Sequence, residues 1–150
     1  MFCADAPHIV LVNPSDSGNL GTILRTADAL DVPVVLLEGC ADPFSHKVVR
    51  ASMGAVFRTP PITASWEEVK QACTQQKIPV AVTALSEKAK DLRQAEVDRM
   101  AVVIGSEGQG VRQEILEHAD AQLIIPMNKH CESLNAAVAA TIVMWQMTKL

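Results

Sequence analysis

Short apolar runs alternate with segments of helical periodicity along the whole chain. Runs such as Val34–Leu37 and Ala101–Ile104 have the length of a buried strand and are too short for a core helix. Strands that are separated by helices return through crossover connections and therefore pair in parallel, and helices then cover both faces of the sheet. The alternation predicts an α/β fold built on a parallel sheet.

The apolar periodicity and the turn residues place the individual elements. The predicted strands span 8–12, 34–37, 79–83, 101–104 and 122–125, and the predicted helices span 19–30, 65–76, 111–118 and 133–149. One or two helical turns are expected within 45–52, and an extended piece at 55–58 before Pro60. Ser65 is the predicted N-cap of its helix, with Glu67 and Glu68 in the first turn. No linker, repeat or low-complexity segment interrupts residues 1–150, which predicts a single domain.

Composition excludes several classes of protein. Hydrophobic residues make up 49% of the chain, but no apolar run approaches the roughly 20 residues of a membrane helix. The first residues lack the basic region of a secretory signal, so a cytoplasmic protein without membrane contact is expected. The four cysteines and four histidines show no metal-ligand spacing, so no metal is expected and the thiols are expected to be reduced.

The net charge of −4 argues against a nucleic-acid partner, because lysine and arginine usually supply most of that affinity. Local charge differs from the total, however. The segment from Lys47 to Arg58 contains three cationic residues and no acid. A basic surface is therefore compatible with an acidic chain.

A glycine-rich turn, Gly105–Gly110, follows the predicted strand 101–104. Its G-x-x-G-x-G order is neither the dinucleotide fingerprint nor a Walker loop, which would continue with Lys and Ser or Thr. It is either a plain strand-to-helix turn or a backbone surface against which a flat ligand can lie closely. Glu107, between glycines at a strand end, is better explained as a hydrogen-bond anchor than by packing.

Two further polar turns carry candidate functional side chains. Near the amino terminus, Asn19 and Gly21 suit the start of a helix that also contains Arg25, whose guanidinium can bind phosphate or carboxylate. The alternative for Arg25 is a salt bridge on the helix face, to Asp28 or Asp31.

The third polar turn precedes the last predicted helix. Ser133 could be the N-cap of that helix, while Asn135 could serve a neighbouring loop. The helix itself is apolar on nearly all sides, which is typical of a helix buried in the core and also in a subunit interface.

Together, the three turns resemble the three motifs of the SpoU (TrmH-like) branch of the SPOUT RNA methyltransferases. The matching segments are Asp16–Ala27, Ile104–Gly110, and Ile125–Met127 with Glu132–Ala139. The intervening Asp42–Ala55 is similar to the members that modify ribosomal RNA. The similarity covers almost the whole chain, with the motifs in order.

This resemblance implies a Rossmann-like sheet whose carboxyl-terminal part forms a deep trefoil knot, a rare exception to unknotted connections. It also implies S-adenosylmethionine as cofactor, bound in the knot largely through backbone groups. Matched position by position, the cofactor-binding residues are Thr83, Ala84, Gly105, Ile125 and Leu134.

The implied reaction is methyl transfer to a ribose 2′-hydroxyl of rRNA or tRNA. Arg25 matches the catalytic arginine, either as base or to orient phosphate; a guanidinium pKa above about 12 favours orientation. The resemblance assigns the other roles as follows: Asn19 and Asn135 hold the arginine and the substrate, Ser133 lies beside the nucleophile, and Glu107 orders the turns.

Family resemblance also implies a homodimer with the last helix in the interface. Many relatives carry an additional amino-terminal RNA-binding domain. We predict a single methyltransferase domain for residues 1–150, without such a domain. The candidate RNA-binding residues are Lys47, Arg50, Arg58 and Lys129.

Two other functions remain open at this point. One is a non-catalytic RNA-binding or assembly module that retains the fold, which the acidic charge makes worth testing. The other is an unrelated enzyme with a nucleotide cofactor, against which the missing dinucleotide fingerprint argues.

Overall fold

The computed structural model describes residues 8–11, 16–84, 86–105, 110–131 and 133–148. In these ranges the chain forms a seven-stranded sheet with the order β3-β2-β1-β6-β4-β7-β5, and all neighbouring strands are parallel. The strands are β1 His8–Leu11, β2 Val34–Leu37, β3 Ile62–Ala64, β4 Val80–Thr83, β5 Lys90–Asp91, β6 Ala101–Ile104 and β7 Ala121–Ile124. The predicted parallel α/β architecture is confirmed.

Helices cover both faces of the sheet. They are α1 Ser17–Leu30, α2 His46–Ala51, α3 Ala55–Arg58, α4 Trp66–Gln76, α5 Gln113–His118 and α6 Ala136–Met147, with a 3₁₀ turn at Leu92–Gln94. Successive side chains of β2 pack into hydrophobic clusters on opposite faces of the sheet, because side chains alternate across a strand. Val34 and Leu36 pack with α1 and α6, whereas Val35 and Leu37 pack with α4 and α5.

Local capping explains where α4 begins, as predicted. The Ser65 side chain accepts a hydrogen bond from the Glu68 backbone N–H, and the Glu68 carboxylate accepts one from the Ser65 N–H. This reciprocal pair satisfies two helix-end donors that would otherwise lack partners. The bonds from Ser65 also hold the pKa of the Glu68 carboxyl below its usual value.

Several predicted elements differ from the observed ones. Residues 55–58, predicted as extended, form the single helical turn α3, because Gly54 (φ 81°) turns the chain and Ala55 and Val56 are buried. The last helix begins at Ala136, three residues later than predicted. The short strands β3 and β5 were not predicted, since runs of two or three residues carry little periodicity.

Close packing between α1 and α2 depends on Gly21. A Cβ at this position would lie 2.4 Å from Ala51 Cβ and 2.9 Å from both Ser52 N and Val48 O. Only glycine lets the two helices approach so closely, and the contact fixes α1, which carries Asn19 and Arg25. Among the helices that the structure describes, none is long and apolar enough to cross a bilayer.

Candidate active site

The carboxyl ends of three adjacent strands, β6, β4 and β7, meet at one edge of the sheet. The register pairs Val82 with Val103 and Thr83 with Leu123, so the strands end at nearly the same level. Ligands of open α/β sheets bind at this edge. The predicted cofactor-binding residues Thr83, Ala84, Gly105 and Ile125 lie on it or directly after it.

Hydrogen bonds tie these strand ends together. The Ala84 N–H donates to the Leu123 carbonyl at 3.0 Å, which extends the pairing of β4 and β7 by one residue. The Thr83 hydroxyl donates to the Val103 carbonyl at 3.5 Å, across to β6. Thr83 and Ala84 are half-buried, so the edge is firmly held and still accessible.

The two ends of the glycine turn, Gly105 and Gly110, lie against each other after β6. A Cβ on Gly105 would lie 2.6 Å from the carbonyl carbon of Gly110 and 2.9 Å from its Cα. Gly110 has φ 68°, a left-handed conformation that favours glycine. These two glycines thus bring bare backbone to the sheet edge. Glu107, the predicted anchor of this turn, lies outside the described residues.

Asn135 connects the polar turn before α6 to the polar turn at the start of α1. Its Oδ1 accepts hydrogen bonds from the backbone N–H groups of Ala137 (2.8 Å) and Val138 (3.2 Å), which caps α6. Its Nδ2 donates to Asn19 Oδ1 at 3.2 Å, across 116 residues of sequence. The amino-terminal ends of α1 and α6 are therefore connected through two asparagine side chains.

The capping alternative for the third turn assigned the wrong residue. Ser133 is exposed and precedes the cap by two positions, while Asn135 is the N-cap of α6. Leu134, between them, is half-buried. Sequence reasoning also missed Asp16, whose side chain accepts the Asn19 N–H at 2.9 Å and caps α1. An aspartate directly before the first residue of a helix can accept the backbone N–H three residues later, so Asp16 is a recognisable capping signal.

Arg25 is exposed on α1 and forms none of the salt bridges considered for it. Asp28 is bound instead by Arg58, with Arg58 Nη2 and Nε each 2.9 Å from Asp28 Oδ2. Asp31 ends α1 in a left-handed conformation. Within the ranges that the structure covers, Arg25 has no ion-pair partner, which leaves its guanidinium available to a ligand.

The predicted RNA-binding residues have different surroundings. Lys47 and Arg50 are exposed on α2, and Lys129 is exposed in the turn after β7. Arg58 connects α3 to α1 through Asp28, and its hydrogen bonds hold the pKa of that carboxyl below the usual value. Arg58 therefore has an intramolecular role, and Lys47, Arg50 and Lys129 present the more accessible charges.

The described residues contain no group of three or more His, Cys, Asp or Glu side chains that could hold a metal ion. What they do contain is a parallel-sheet edge lined by backbone and small residues. The amino-terminal ends of α1 and α6 are capped and linked through Asn19 and Asn135, and α1 also carries the exposed Arg25. The carboxyl edge of a parallel sheet is where open α/β folds bind their ligands, so this edge is the candidate site.

Comparison with known proteins identifies the class. Residues 6–145 match the model of the SpoU rRNA Methylase family. The chain belongs to this family, as the resemblance of its motifs predicted.

A relative of known name is the 23S rRNA (guanosine(2553)-2′-O)-methyltransferase RlmP of Bacillus subtilis. It is 34% identical over 146 residues, which are 96% of this chain and 59% of the relative. The chain thus spans about three fifths of the length of that curated relative.

Solved structures show the same fold. The SpoU methyltransferase AviRb from Streptomyces viridochromogenes matches with a TM-score of 0.88 and 27% identity, over 97% of this chain and 60% of AviRb. Its complex with AdoMet matches with a TM-score of 0.86 and the same identity and coverage. A structure concerned with 2-OH methylation of C/U34 on tRNA matches with a TM-score of 0.76 and 26% identity, over 97% of this chain and 95% of that one.

Proposed function

We propose that this chain is an S-adenosylmethionine-dependent methyltransferase that modifies a ribose 2′-hydroxyl of rRNA or tRNA. The observation that carries the proposal is the Asn135–Asn19 hydrogen bond, which unites the first and third family motifs beside the ends of β4, β6 and β7. Family membership and the AdoMet complex of AviRb support the cofactor. The name of RlmP and the tRNA-related structure support an RNA substrate, and a cytoplasmic location follows from that substrate class.

The residues at the sheet edge fit this cofactor. Gly105 packs directly against the backbone of Gly110, whereas a Cβ on Gly110 would meet no heavy atom within 4 Å, so bare backbone is open to a flat adenine ring at Gly110. Ile125 and Leu134 are half-buried apolar side chains. Thr83 and Ala84, at the end of β4, lie between Gly105 after β6 and Ile125 after β7. When bound, the cofactor supplies a methyl group activated by its sulfonium.

The chain's own residues act mainly by positioning, because displacement at a methyl carbon requires alignment. We assign Arg25 to bind the phosphate next to the target ribose and to stabilise the negative charge on the 2′-oxygen, whose hydroxyl proton passes to water as the oxygen takes the methyl group. Asn19 and Asn135 hold α1, and with it Arg25, against α6. Ser133, exposed before the cap, is assigned to the substrate side of the site, and Glu107 to the ordering of the glycine turn.

A deep trefoil knot in the carboxyl-terminal part is included in the proposal. Its support is the order of insertion: β6 lies between β1 and the earlier β4, and β7 lies between β4 and the earlier β5. Two strands from the last third of the sequence thus lie between strands that precede them in the sequence. The similarity to SpoU structures adds to this support.

A homodimer is also proposed, with α6 in the interface. Val138, Ile142 and Trp145 are exposed on α6 at helical spacing, while the opposite side of the helix is buried in the core. An exposed apolar stripe of this kind is typical of a protein–protein contact. A second copy is the partner that the family resemblance implies.

The test of the function compares wild type with Arg25→Ala and Arg25→Lys. By titration calorimetry, all three are expected to bind S-adenosylmethionine equally, with a nicotinamide dinucleotide as the negative control. Transfer of a labelled methyl group to RNA is expected to fall about 100-fold or more in Arg25→Ala, by analogy with the loss of one charge-stabilising donor. Arg25→Lys retains the charge without the planar fork and is expected to be intermediate.

Equal turnover of all three proteins would contradict the role of Arg25. Absence of S-adenosylmethionine binding by folded wild type would contradict the enzyme itself. In that case, binding of structured RNA without cofactor would favour the alternative, a non-catalytic RNA-binding module.

A further inference from the structure

Two of the three phenylalanines of this chain lie together on the surface. Phe44, before α2, is 53% exposed, and Phe57 in α3 is 64% exposed. Their ring centroids are 6.1 Å apart with planes inclined by 36°. Met53, in the turn between the two helices, is 64% exposed. Phe44 and Phe57 form the aromatic patch, and the chain contains no tyrosine elsewhere to serve a similar purpose.

Exposed positive charge follows Phe44 on α2. Lys47 and Arg50 are exposed on α2, and residues 43–58 contain no acidic side chain. Asp42 precedes this segment and accepts a hydrogen bond from the Phe44 backbone N–H at 2.9 Å. A surface that combines exposed rings with exposed cations is typical of a site for single-stranded nucleic acid.

The aromatic patch belongs to helices that flank Arg25. Gly21, Arg25 and Asp28 share one stripe of α1, because they are spaced by four and three residues. Gly21 contacts α2, and Asp28 accepts hydrogen bonds from Arg58 Nε and from the Thr59 hydroxyl at the end of α3. Arg25 therefore lies between the two points at which the α2–α3 pair is attached to α1.

Charge decides between RNA and a second protein copy as the occupant. The stripe on α6 (Val138, Ile142, Trp145) consists of uncharged side chains, as expected for an interface between copies. At a two-fold contact through the aromatic patch, Lys47 and Arg50 would face the same cations of the partner copy, and like charges repel. RNA offers the complementary charge and flat bases for the rings.

We propose that Phe44 and Phe57 stack on unpaired bases next to the target nucleotide, while Lys47 and Arg50 contact the phosphates between them. The inference rests on the proposed function for the presence of RNA, and it adds the substrate class: a single-stranded segment or loop. Bases within a duplex are stacked on each other and cannot lie on the rings.

The test measures binding by fluorescence anisotropy at about 50 mM salt, where phosphate contacts are strong. The probe is a fluorescein-labelled mixed-sequence RNA of twelve nucleotides, used single-stranded and annealed to its complement. The variants are Phe44→Leu/Phe57→Leu, which removes the rings but keeps apolar bulk, and Phe44→Tyr/Phe57→Tyr, which keeps the rings. Calorimetry with S-adenosylmethionine and sedimentation accompany each variant.

Wild type is expected to prefer the single strand. The double leucine variant is expected to bind it about 10- to 100-fold more weakly, and the double tyrosine variant within about twofold of wild type. Cofactor binding and sedimentation are expected to stay unchanged, because both rings are exposed.

The inference is overturned if wild type does not bind the single strand in preference to the duplex, or if the double leucine variant binds as wild type does. A smaller sedimenting species for the leucine variant would assign the aromatic patch to contact between copies and also overturn it. Failure of wild type to bind S-adenosylmethionine would instead contradict the proposed function, so the two failures are distinguishable.

Discussion

At the scale of single residues, Asn135 makes two separable contacts through one amide group. Its oxygen caps α6, and its nitrogen reaches Asn19. The cap is a stability contact, whereas the bond to Asn19 connects two motifs of the site. Replacing Asn135 with shorter side chains can separate the two roles, because a short side chain can cap α6 without contacting Asn19.

We expect Asn135→Ala to lower the free energy of unfolding by about 1 kcal/mol, because a helix loses its cap. Asn135→Ser retains a capping oxygen but is too short to reach Asn19, so its urea-unfolding midpoint should stay near that of wild type. Both variants should transfer methyl groups about 10- to 100-fold more slowly, because the alignment of α1 and α6 is lost. Full activity of Asn135→Ser would show that the bond to Asn19 has no part in catalysis.

Asp28 gives stability a pH dependence at the attachment of α3. The hydrogen bond from Arg58, and then that from Thr59, hold its pKa below the usual 3.8. As pH falls, the unfolded chain takes up the proton first, so the contribution is complete above about pH 4 and is lost as pH drops through the lower folded pKa.

We therefore expect Asp28→Asn to lower the urea-unfolding midpoint at pH 6 and to flatten its decline as the pH falls below about 4. The matched control is Asp31→Asn at the end of the same helix, where asparagine suits the left-handed backbone. If both variants follow the wild-type pH profile, the Arg58–Asp28 pair does not stabilise the fold.

At the scale of elements, the contact of α1 with α2 depends on the absence of one side chain. We expect Gly21→Ala to destabilise the protein by about 1–3 kcal/mol, because the new methyl group meets backbone atoms at Val48 and Ser52 that cannot rotate away. Thr22→Ala, exposed on the next position of the helix, is the control and should change stability by less than about 0.5 kcal/mol. Equal unfolding midpoints for the two variants would contradict the close packing.

The elements that could be predicted are those whose signals are local. The start of α4 follows from Ser65 and Glu68, which lie three residues apart. The turn α3 could not be predicted, because the burial of Ala55 and Val56 against distant residues outweighs the local preference of Val56 and Phe57 for extended backbone.

As with the fold, only the local features of the site could be predicted from the sequence. The strand-end turns could be located from residue patterns, and their roles came from the family resemblance. The bond between Asn19 and Asn135 spans 116 residues, and no local pattern indicates it. Phe44 and Phe57 were missed for the same reason, since their proximity depends on how α2 and α3 fold back on each other.

At the scale of the whole molecule, two exposed apolar surfaces are proposed to bind different partners. The stripe of Val138, Ile142 and Trp145 is assigned to a second copy, and the aromatic patch to RNA. Trp145 and Phe57 are almost equally exposed, at 63% and 64%, so they form a matched pair for substitution.

We expect wild type and Phe57→Glu to sediment as dimers at micromolar concentration and Trp145→Glu to sediment as a monomer. A carboxylate in the α6 interface would be desolvated without a partner, whereas at position 57 it would remain in water. A monomeric wild type, or a dimer that survives Trp145→Glu, would refute the interface on α6.

The central claim is methyl transfer to a ribose 2′-oxygen, and alkaline hydrolysis tests it most directly. A methyl group on the 2′-oxygen blocks cleavage of the adjoining phosphodiester, because that oxygen can no longer attack the phosphorus. After incubation of the enzyme, methyl-labelled S-adenosylmethionine and pooled rRNA and tRNA, label is expected in alkali-stable dinucleotides. Label in mononucleotides would indicate base methylation, and absence of label with every RNA would indicate no transfer; either result would contradict the account.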